Sequence, residues 1–528
     1  MSSGDPFSST DQRPEMVFAL VGAAGTRLSD LSAELKVELL TFGYQTVNIR
    51  LSALLPSFSE FTAQIGTGEY ERITHYQQMG DAFRKRLQRG DAMALAGIAQ
   101  IRAERAKISG NQDRPASAYA YVVHQLKHPD EVDLLRKIYG PSFLLLAGHA
   151  PRQLCTDELA RLMARSQAQP GQEDKFTGKA SEVITTDTRE EDDEFGQNVR
   201  DTYPKADFFA NLGIERGEYE VRRFVDLLFG HPFHTPSPDE YAMYQANAVS
   251  LRSSDDNRQV GAVIVNLSRD EKGKIKNADI IAVGMNEVPR GGGGFYWDQD
   301  SPDYRDQRLL QRGEDRAREI KVSALAELIK KIRLQQWLDG TTLNRSEISL
   351  AAELLPNLKG TQFLDIGEFS RPVHAEMAAL IDAARRGVAV DSRSMYVTTF
   401  PCHNCAKHII AAGIRRVVYL EPYPKSRARN LHGEEMVQES LSGGEEEGKV
   451  VFFAFTGIAP RQYGQLFSMS QRGAKRGRSL NKWNDDRKSL SPMCIPENAS
   501  LMYLEAERSA LGNLPSDIYN RETIDSNK

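Results

Sequence analysis

The sequence has 528 residues, 40% of them hydrophobic, which is material for about two to four domains rather than one core. Its 67 Lys and Arg against 72 Asp and Glu give a net charge of -5, which excludes a polycation built to coat nucleic acid and leaves room for local sites that hold small anions. Four unevenly spaced cysteines (Cys155, Cys402, Cys405 and Cys494) exclude a disulfide framework and indicate a reducing compartment. The N-terminus lacks the apolar core of a signal peptide, and no run of about 18 apolar residues occurs, so the chain is expected to be cytoplasmic with no membrane partner.

Residues 1–15 are polar and expected to be disordered. "MVFALVG" at 16–22 then reads as a buried strand entering a glycine turn, followed by an amphipathic helix through Leu40. Further strands are expected at "QTVNIRL", "SAYAYVV", "SFLLLAG" and "ADFFANL", with helices between them such as "DAMALAGIAQIRAER". Strands alternating with helices predict an α/β domain over 16–230 with a mainly parallel sheet. The turn after its first strand, "GAAGTRLS", sits where a phosphate loop belongs. Against the pattern G-x-x-x-x-G-K-[ST] counted from Gly22, Arg27 replaces the second glycine, Leu28 the lysine, and Ser29 keeps the hydroxyl. Without the lysine, phosphotransfer is unsupported. Anion binding by backbone N–H groups at the helix start is still open to Gly22, Gly25, Thr26, Arg27 and Ser29, with Arg27 supplying charge. A plain glycine turn is the alternative.

The Pro-rich "HPFHTPSPDE" at 231–240 marks a domain boundary. A helix over Tyr241–Leu251, strands "VGAVIVN" and "DIIAVGMNE", and a loop "PRGGGGFYWD" follow; 304–338 reads as a charged helical insertion. Next come a helix from His374, the strand "SMYVTT", a helix beginning around Cys402 and stopped by Gly413, and the strand "RRVVYL". The second domain is expected over 231–470, with a polar C-terminal tail over 471–528.

Half of the thiols lie in "FPCHNCAKHI". Cys402 and Cys405 stand at i and i+3, and Pro401 before them suits a helix start. Upstream, "VHAEMAALIDAARRG" offers His374 as a third ligand. One imidazole and two thiolates leave the fourth position of a tetrahedral zinc for water, the arrangement of a catalytic site. Glu376, two residues from His374, shares that site only if it lies beyond the first turn of their helix. H-x-E followed by P-C-x-x-C is the signature of zinc nucleobase deaminases. In that chemistry the ion makes a bound water ionise near neutral pH. Glu376, outside the ligand set, relays protons among water, ring N3 and departing ammonia.

The segment from "HAEMAAL" to "IIAAGIRRVVYL" resembles the cytidine and deoxycytidylate deaminase superfamily, which implies a three-layer α/β/α domain over the second half. "LRSSDDNRQVGAVIVN" and "IIAVGMNEVPRGGGG" resemble its deoxycytidylate branch. That resemblance implies free dCMP or dCTP as substrate, Asn286 on the sugar, and Arg252, Ser253 and Arg258 near the entrance. Together with the N-terminal loop, "QLKHPDEVDLLRKIYGPSFLLLAG" and "FGQNVRDTYPKADFFANLG", residues 16–465 resemble bacterial anti-phage dCTP deaminases. Those join a P-loop-kinase-like domain to a deaminase. The resemblance implies Zn2+ as cofactor, depletion of deoxycytidine nucleotides in infection, a nucleotide ligand at the N-terminal domain, a regulatory small RNA and homo-oligomers. Two readings compete: an RNA- or DNA-editing deaminase, and a non-catalytic nucleotide sensor or RNA-binding regulator with structural zinc.

Overall fold

The computed structural model describes residues 13–512 except 58–67, 189–192, 214–216, 257, 270, 272–274, 299–305, 307, 309–312, 314–315, 336–344, 359–360, 362, 365–368, 424, 439–446, 471, 473–474, 477–478, 481–482, 484–486 and 497–498. Chain contacts divide it into two units. One comprises Met1–Tyr244, Val418–Pro424 and Val437–Lys528; the other comprises Gln245–Val417 and Lys425–Met436.

In the first unit β1 (Met16–Val21) is buried along its whole length, as a central strand covered on both faces must be. After it come α1 (Leu28–Thr41), β2 (Gln45–Arg50), α2 (Glu69–Leu87), α3 (Ala92–Ser109) and β3 (Tyr119–His124). Then follow α4 (Pro129–Tyr139), β4 (Phe143–His149), α5 (Arg152–Ser166), α6 (Thr177–Thr188), α7 (Val199–Thr202), β5 (Phe208–Asn211), α8 (Gly217–Leu228) and α9 (Pro238–Ser250), within which the chain passes to the second unit. Strands β5-β4-β1-β3-β2 are neighbours in that order and pair in parallel, as strand–helix alternation requires. Helix α4 starts at a capping box: Asp130 N–H donates to His128, while the Glu131 carboxylate accepts from the His128 and Lys127 N–H groups.

The expected second-domain range ends at 470, yet β12 (Gly457–Ile458) pairs antiparallel with β5 and extends the first sheet. Ile458 is fully buried in that core beside Leu466 and Ile495. The stretch read as a polar tail contains the helix Ala499–Gly512, whose Tyr503 and Glu507 are buried. Of the N-terminal residues expected to be disordered, 1–12 lie outside the described residues, while Glu15 is 1% exposed. The cause is one buried network. Arg105, wholly inaccessible, donates from Nη1 and Nη2 to the two Glu507 oxygens at 2.8 Å each and from Nε to Glu15 at 3.0 Å. Tyr503 and Tyr121 hydroxyls donate to Glu15 at 2.6 and 3.1 Å.

The second sheet runs β10-β11-β9-β8-β6-β7. Its elements in chain order are β6 (Gly261–Arg269), β7 (Ile275–Met285), α10 (Arg316–Leu334), α11 (Glu347–Leu354), α12 (Ala375–Arg385), β8 (Ser394–Thr399), α13 (His403–Ala411), β9 (Arg416–Glu421), α14 (Ala428–His432), β10 (Met436–Gln438) and β11 (Val450–Ala454). β6 pairs antiparallel with both β7 and β8, Gly261 opposite Met285 and Ala262 opposite Val397. The charged insertion carries α10, which with α11 forms a small core of its own around Leu325, Ile329 and Ala351. No helix among the described residues is long and apolar enough to cross a membrane.

Glu507→Ala leaves the Arg105 charge buried without its bidentate partner, so it is expected to cost the first unit about 3–5 kcal/mol. Chemical denaturation monitored on that unit checks this; an unchanged midpoint contradicts it.

Candidate metal centre

Two helix starts are brought together at one place. β7 ends at Met285, and Glu287 then exchanges backbone hydrogen bonds with Val373, N–H to C=O at 3.2 and 3.0 Å. This short bridge fixes His374 as the extended N-cap of α12. The helix lies against the sheet through Ala375, Ala378, Ala379 and Ala383, all buried. Gly284 permits that approach, because a Cβ there would stand 2.2 Å from Ala379 N and 2.3 Å from Ala375 O.

From the other side, fully buried β8 leads through Phe400 and Pro401 to Cys402, the extended N-cap of α13. Pro401 therefore sits just outside the helix rather than in its first turn. Cys405 lies in that turn, 1% exposed. Neither N-cap side chain caps its own helix. Both point into the cluster instead, where two positive helix ends favour thiolates.

His374 Nδ1 lies 3.4 Å from Cys402 Sγ and 3.3 Å from Cys405 Sγ. Tetrahedral zinc with ordinary bond lengths separates such nitrogen and sulfur ligands by about 3.6 Å, so the three side chains fit the ion after a shift of a few tenths of an ångström. Their electrostatics belong to a metal-ligating set. The hydrogen bond from Cys405, with further help from His374, lowers the Cys402 thiol to about 4. The hydrogen bond to Cys402 raises the His374 imidazole to about 9, and the hydrogen bond between Cys405 and Cys402, with burial, pushes Cys405 well above the ordinary thiol range. A dication replaces the shared protons of such a cluster.

Glu376 occupies the first turn of α12, which is the condition under which it shares a site with His374. Its carboxyl is 4% exposed and hydrogen-bonds Cys405. Burial, then the Cys402 charge, raises it to about 7.

The loop before β6 is tied to this region. Asn286 Oδ1 accepts from Val260 N–H and its Nδ2 donates to Arg258 C=O, both at 2.7 Å, so the side chain expected to meet a sugar holds the 258–260 backbone. Ser253 Oγ donates to Asn286 C=O at 2.5 Å and is buried. Arg252 donates to Tyr296 C=O at 3.1 Å and lies over the exposed Trp297 ring at 3.6 Å. Arg258 is exposed. Sequence reasoning missed Glu287, whose buried carboxylate accepts from Ser254 N–H and Oγ. It also missed Asp255, whose charge acts on His374. The adjacency of Glu287 to Asn286 at a strand end was the available signal.

In the first unit, Gly25 has φ +85° and lies so close to Cys155 C=O that a Cβ would stand 2.3 Å from it. Gly22 C=O accepts from Gln125 Nε2 at 2.6 Å, and Thr26 Oγ1 is 3.6 Å from Cys155 Sγ. Arg27 is the N-cap of α1 and donates to Leu212 C=O at 3.2 Å, while Ser29 Oγ is exposed beside Asp30. A second cluster with metal-ligand types, Asp226, His231 and His234, is also in this unit. There Phe233 N–H donates to His231 Nδ1 and the two imidazoles lie 4.1 Å apart, tilted by 31°, which makes it a hydrogen-bonded stack.

Residues 236–421 match the family model "Cytidine and deoxycytidylate deaminase zinc-binding region", which names zinc as the ion this cluster suits. The chain is 46% identical over 55 residues to the deoxycytidylate deaminase of Enterobacteria phage T2, a stretch covering 10% of this chain and 29% of that one. It is 46% identical over 54 residues to ComE operon protein 2 of Bacillus subtilis (strain 168), covering 10% and 29%. The human deoxycytidylate deaminase is 45% identical over 47 residues, covering 9% and 25%. The chain thus spans under a third of the length of these curated relatives. A solved structure of dCMP deaminase from the cyanophage S-TIM5 aligns over 42% of this chain and all of that one, at 18% identity and a TM-score of 0.21.

Cys402→Ala is expected to abolish stoichiometric zinc while Cys494→Ala, far from the cluster in sequence, keeps it. Elemental analysis of the purified chains checks this; zinc retained without Cys402 contradicts the ligand set.

Proposed function

We propose that this chain is a zinc-dependent hydrolytic deaminase of free deoxycytidine nucleotides. The observation that carries the reading is a buried carboxyl, Glu376, set against a cluster that, among the described residues, offers three protein ligands. The family match and the names of the relatives support the reaction type. His374, Cys402 and Cys405 would hold the ion, whose contribution is to acidify a water ligand.

The remaining steps belong to Glu376. Its raised carboxyl accepts a proton from water and delivers it to cytosine N3, so that oxygen attack at C4 leaves no unbalanced charge. Glu376, ionised again, then takes the proton of the new C4 hydroxyl and passes it to the amino group as the C4 carbonyl forms. The C4–N bond breaks, ammonia leaves and a uracil nucleotide remains. Asn286 and Glu287 hold the adjoining loop in place, and the sequence resemblance would put Ser253 and Arg252 of that loop near the substrate entrance.

Use of dCTP beside dCMP, a role in phage defence, homo-oligomeric assembly and a regulatory small RNA enter the proposal through the sequence resemblance alone. So does the P-loop-kinase-like character of the N-terminal domain. Its support here is a loop between a buried strand and a helix, on a parallel sheet whose order reverses beside β1.

Glu376→Ala is expected to retain zinc and to lose at least about 100-fold in ammonia release from dCMP; native turnover in that variant contradicts the role. Free dCMP and dCTP are expected to be consumed faster than cytosine within an oligonucleotide, and the reverse order favours an editing enzyme.

A further inference from the structure

The first unit contains a cavity of about 360 Å3 whose walls include Ala24, Arg50, His124, Lys127 and Asp187. Four of these, Ala24, Arg50, His124 and Lys127, follow the carboxyl ends of β1, β2 and β3 or close those strands. The order β5-β4-β1-β3-β2 reverses beside β1, and open α/β sheets take ligands at the carboxyl edge of such a reversal. The glycine loop and the start of α1 add backbone N–H groups suited to an anion.

An anion is already there, and the chain supplies it. Asp187, in the last turn of α6, has no exposed surface. Its Oδ2 accepts from the loop's Ala24 N–H at 2.8 Å. Its Oδ1 takes the Lys127 ammonium at 2.5 Å and Gln77 Nε2 at 3.4 Å. A loop amide, an ammonium and a side-chain amide thus converge on one carboxylate, which is the donor set that would hold a phosphate group. Lys127, placed just after β3, brings the cation that Leu28 removes from the loop itself.

We infer that Asp187 is a built-in anion that closes the phosphate position of the N-terminal cavity, so that a phosphate-bearing ligand enters by displacing this carboxylate together with the last turn of α6. Two like charges a few ångströms apart in a partly desolvated site repel strongly, so carboxylate and phosphate exclude one another. Occupancy by the ligand therefore changes the position of α6, which makes the cavity a sensor rather than a passive pocket. The inference rests on the nucleotide-binding reading of the N-terminal loop and is independent of the deaminase reading.

The test uses the full-length chain and isothermal titration with inorganic tripolyphosphate and with ATP. Asp187→Asn keeps the shape and the acceptor for Ala24 but releases Lys127, so it is expected to bind tripolyphosphate at least about tenfold more tightly than the native chain. The gain is expected to vanish in Asp187→Asn/Lys127→Ala. In the native chain, saturating ATP is expected to raise amide hydrogen exchange in the last turn of α6, a readout that needs no variant. Equal tight affinity in the native chain and Asp187→Asn overturns the lock and leaves a nucleotide site. Absence of binding in both removes lock and site together. A gain that survives loss of Lys127, or bound ATP with unchanged exchange in α6, also overturns it. Ammonia release from dCMP is measured separately, so the deaminase proposal is judged on its own result.

Discussion

Two helices begin at one point, and the metal centre follows from that. His374 and Cys402 are both N-cap residues in extended conformation, so their side chains leave the helices at the ends where backbone N–H groups are unpaired. The positive ends of α12 and α13 are therefore turned toward the same thiolates. Cys405 joins from the first turn of α13, and Glu376 from the first turn of α12. Within a helix, residues two apart diverge by about 200°, so His374 and Glu376 can share a site only at the start of α12. The approach of α12 in turn depends on Gly284, where any side chain would collide with the helix backbone, and on the Glu287–Val373 bridge that fixes the residue before the cap.

Two ligand-ready places among the described residues are electrostatic opposites. The cluster in the second unit gathers thiolates and an imidazole that a cation satisfies best. The loop in the first unit gathers donors that an anion satisfies, and Asp187 already meets them. Each arrangement obeys the same rule, that buried charge needs a partner of opposite sign. They differ in where that partner comes from.

Local patterns were legible in the sequence and long-range closures were not. H-x-E and P-C-x-x-C named the four side chains that the structure brings together, because each pair's spacing fixes its geometry within a single turn. The strands β1 to β9 were legible as short apolar runs bounded by turn residues. What escaped depends on partners far apart in the chain. β12 reads as two residues of no pattern until it meets β5, and Glu507 is an ordinary acid until Arg105 and Glu15 are placed around it, hundreds of residues away. Lys127 was hidden for the same reason: the phosphate-loop pattern looks for its lysine inside the loop, while this chain delivers one from the end of β3. Asn286 was expected on the sugar of a nucleotide, whereas its amide is directed at Val260 and Arg258, a use that no spacing reveals.

The central claim is that the His374, Cys402 and Cys405 cluster is a working metal centre for nucleotide deamination. Its most direct test is conversion of dCMP to dUMP by the purified full-length chain as isolated, after chelation of its zinc, and after zinc is restored. The account predicts conversion that disappears on chelation and returns with stoichiometric zinc. Undiminished conversion in the zinc-free chain, or none in a chain fully loaded with zinc, would contradict it.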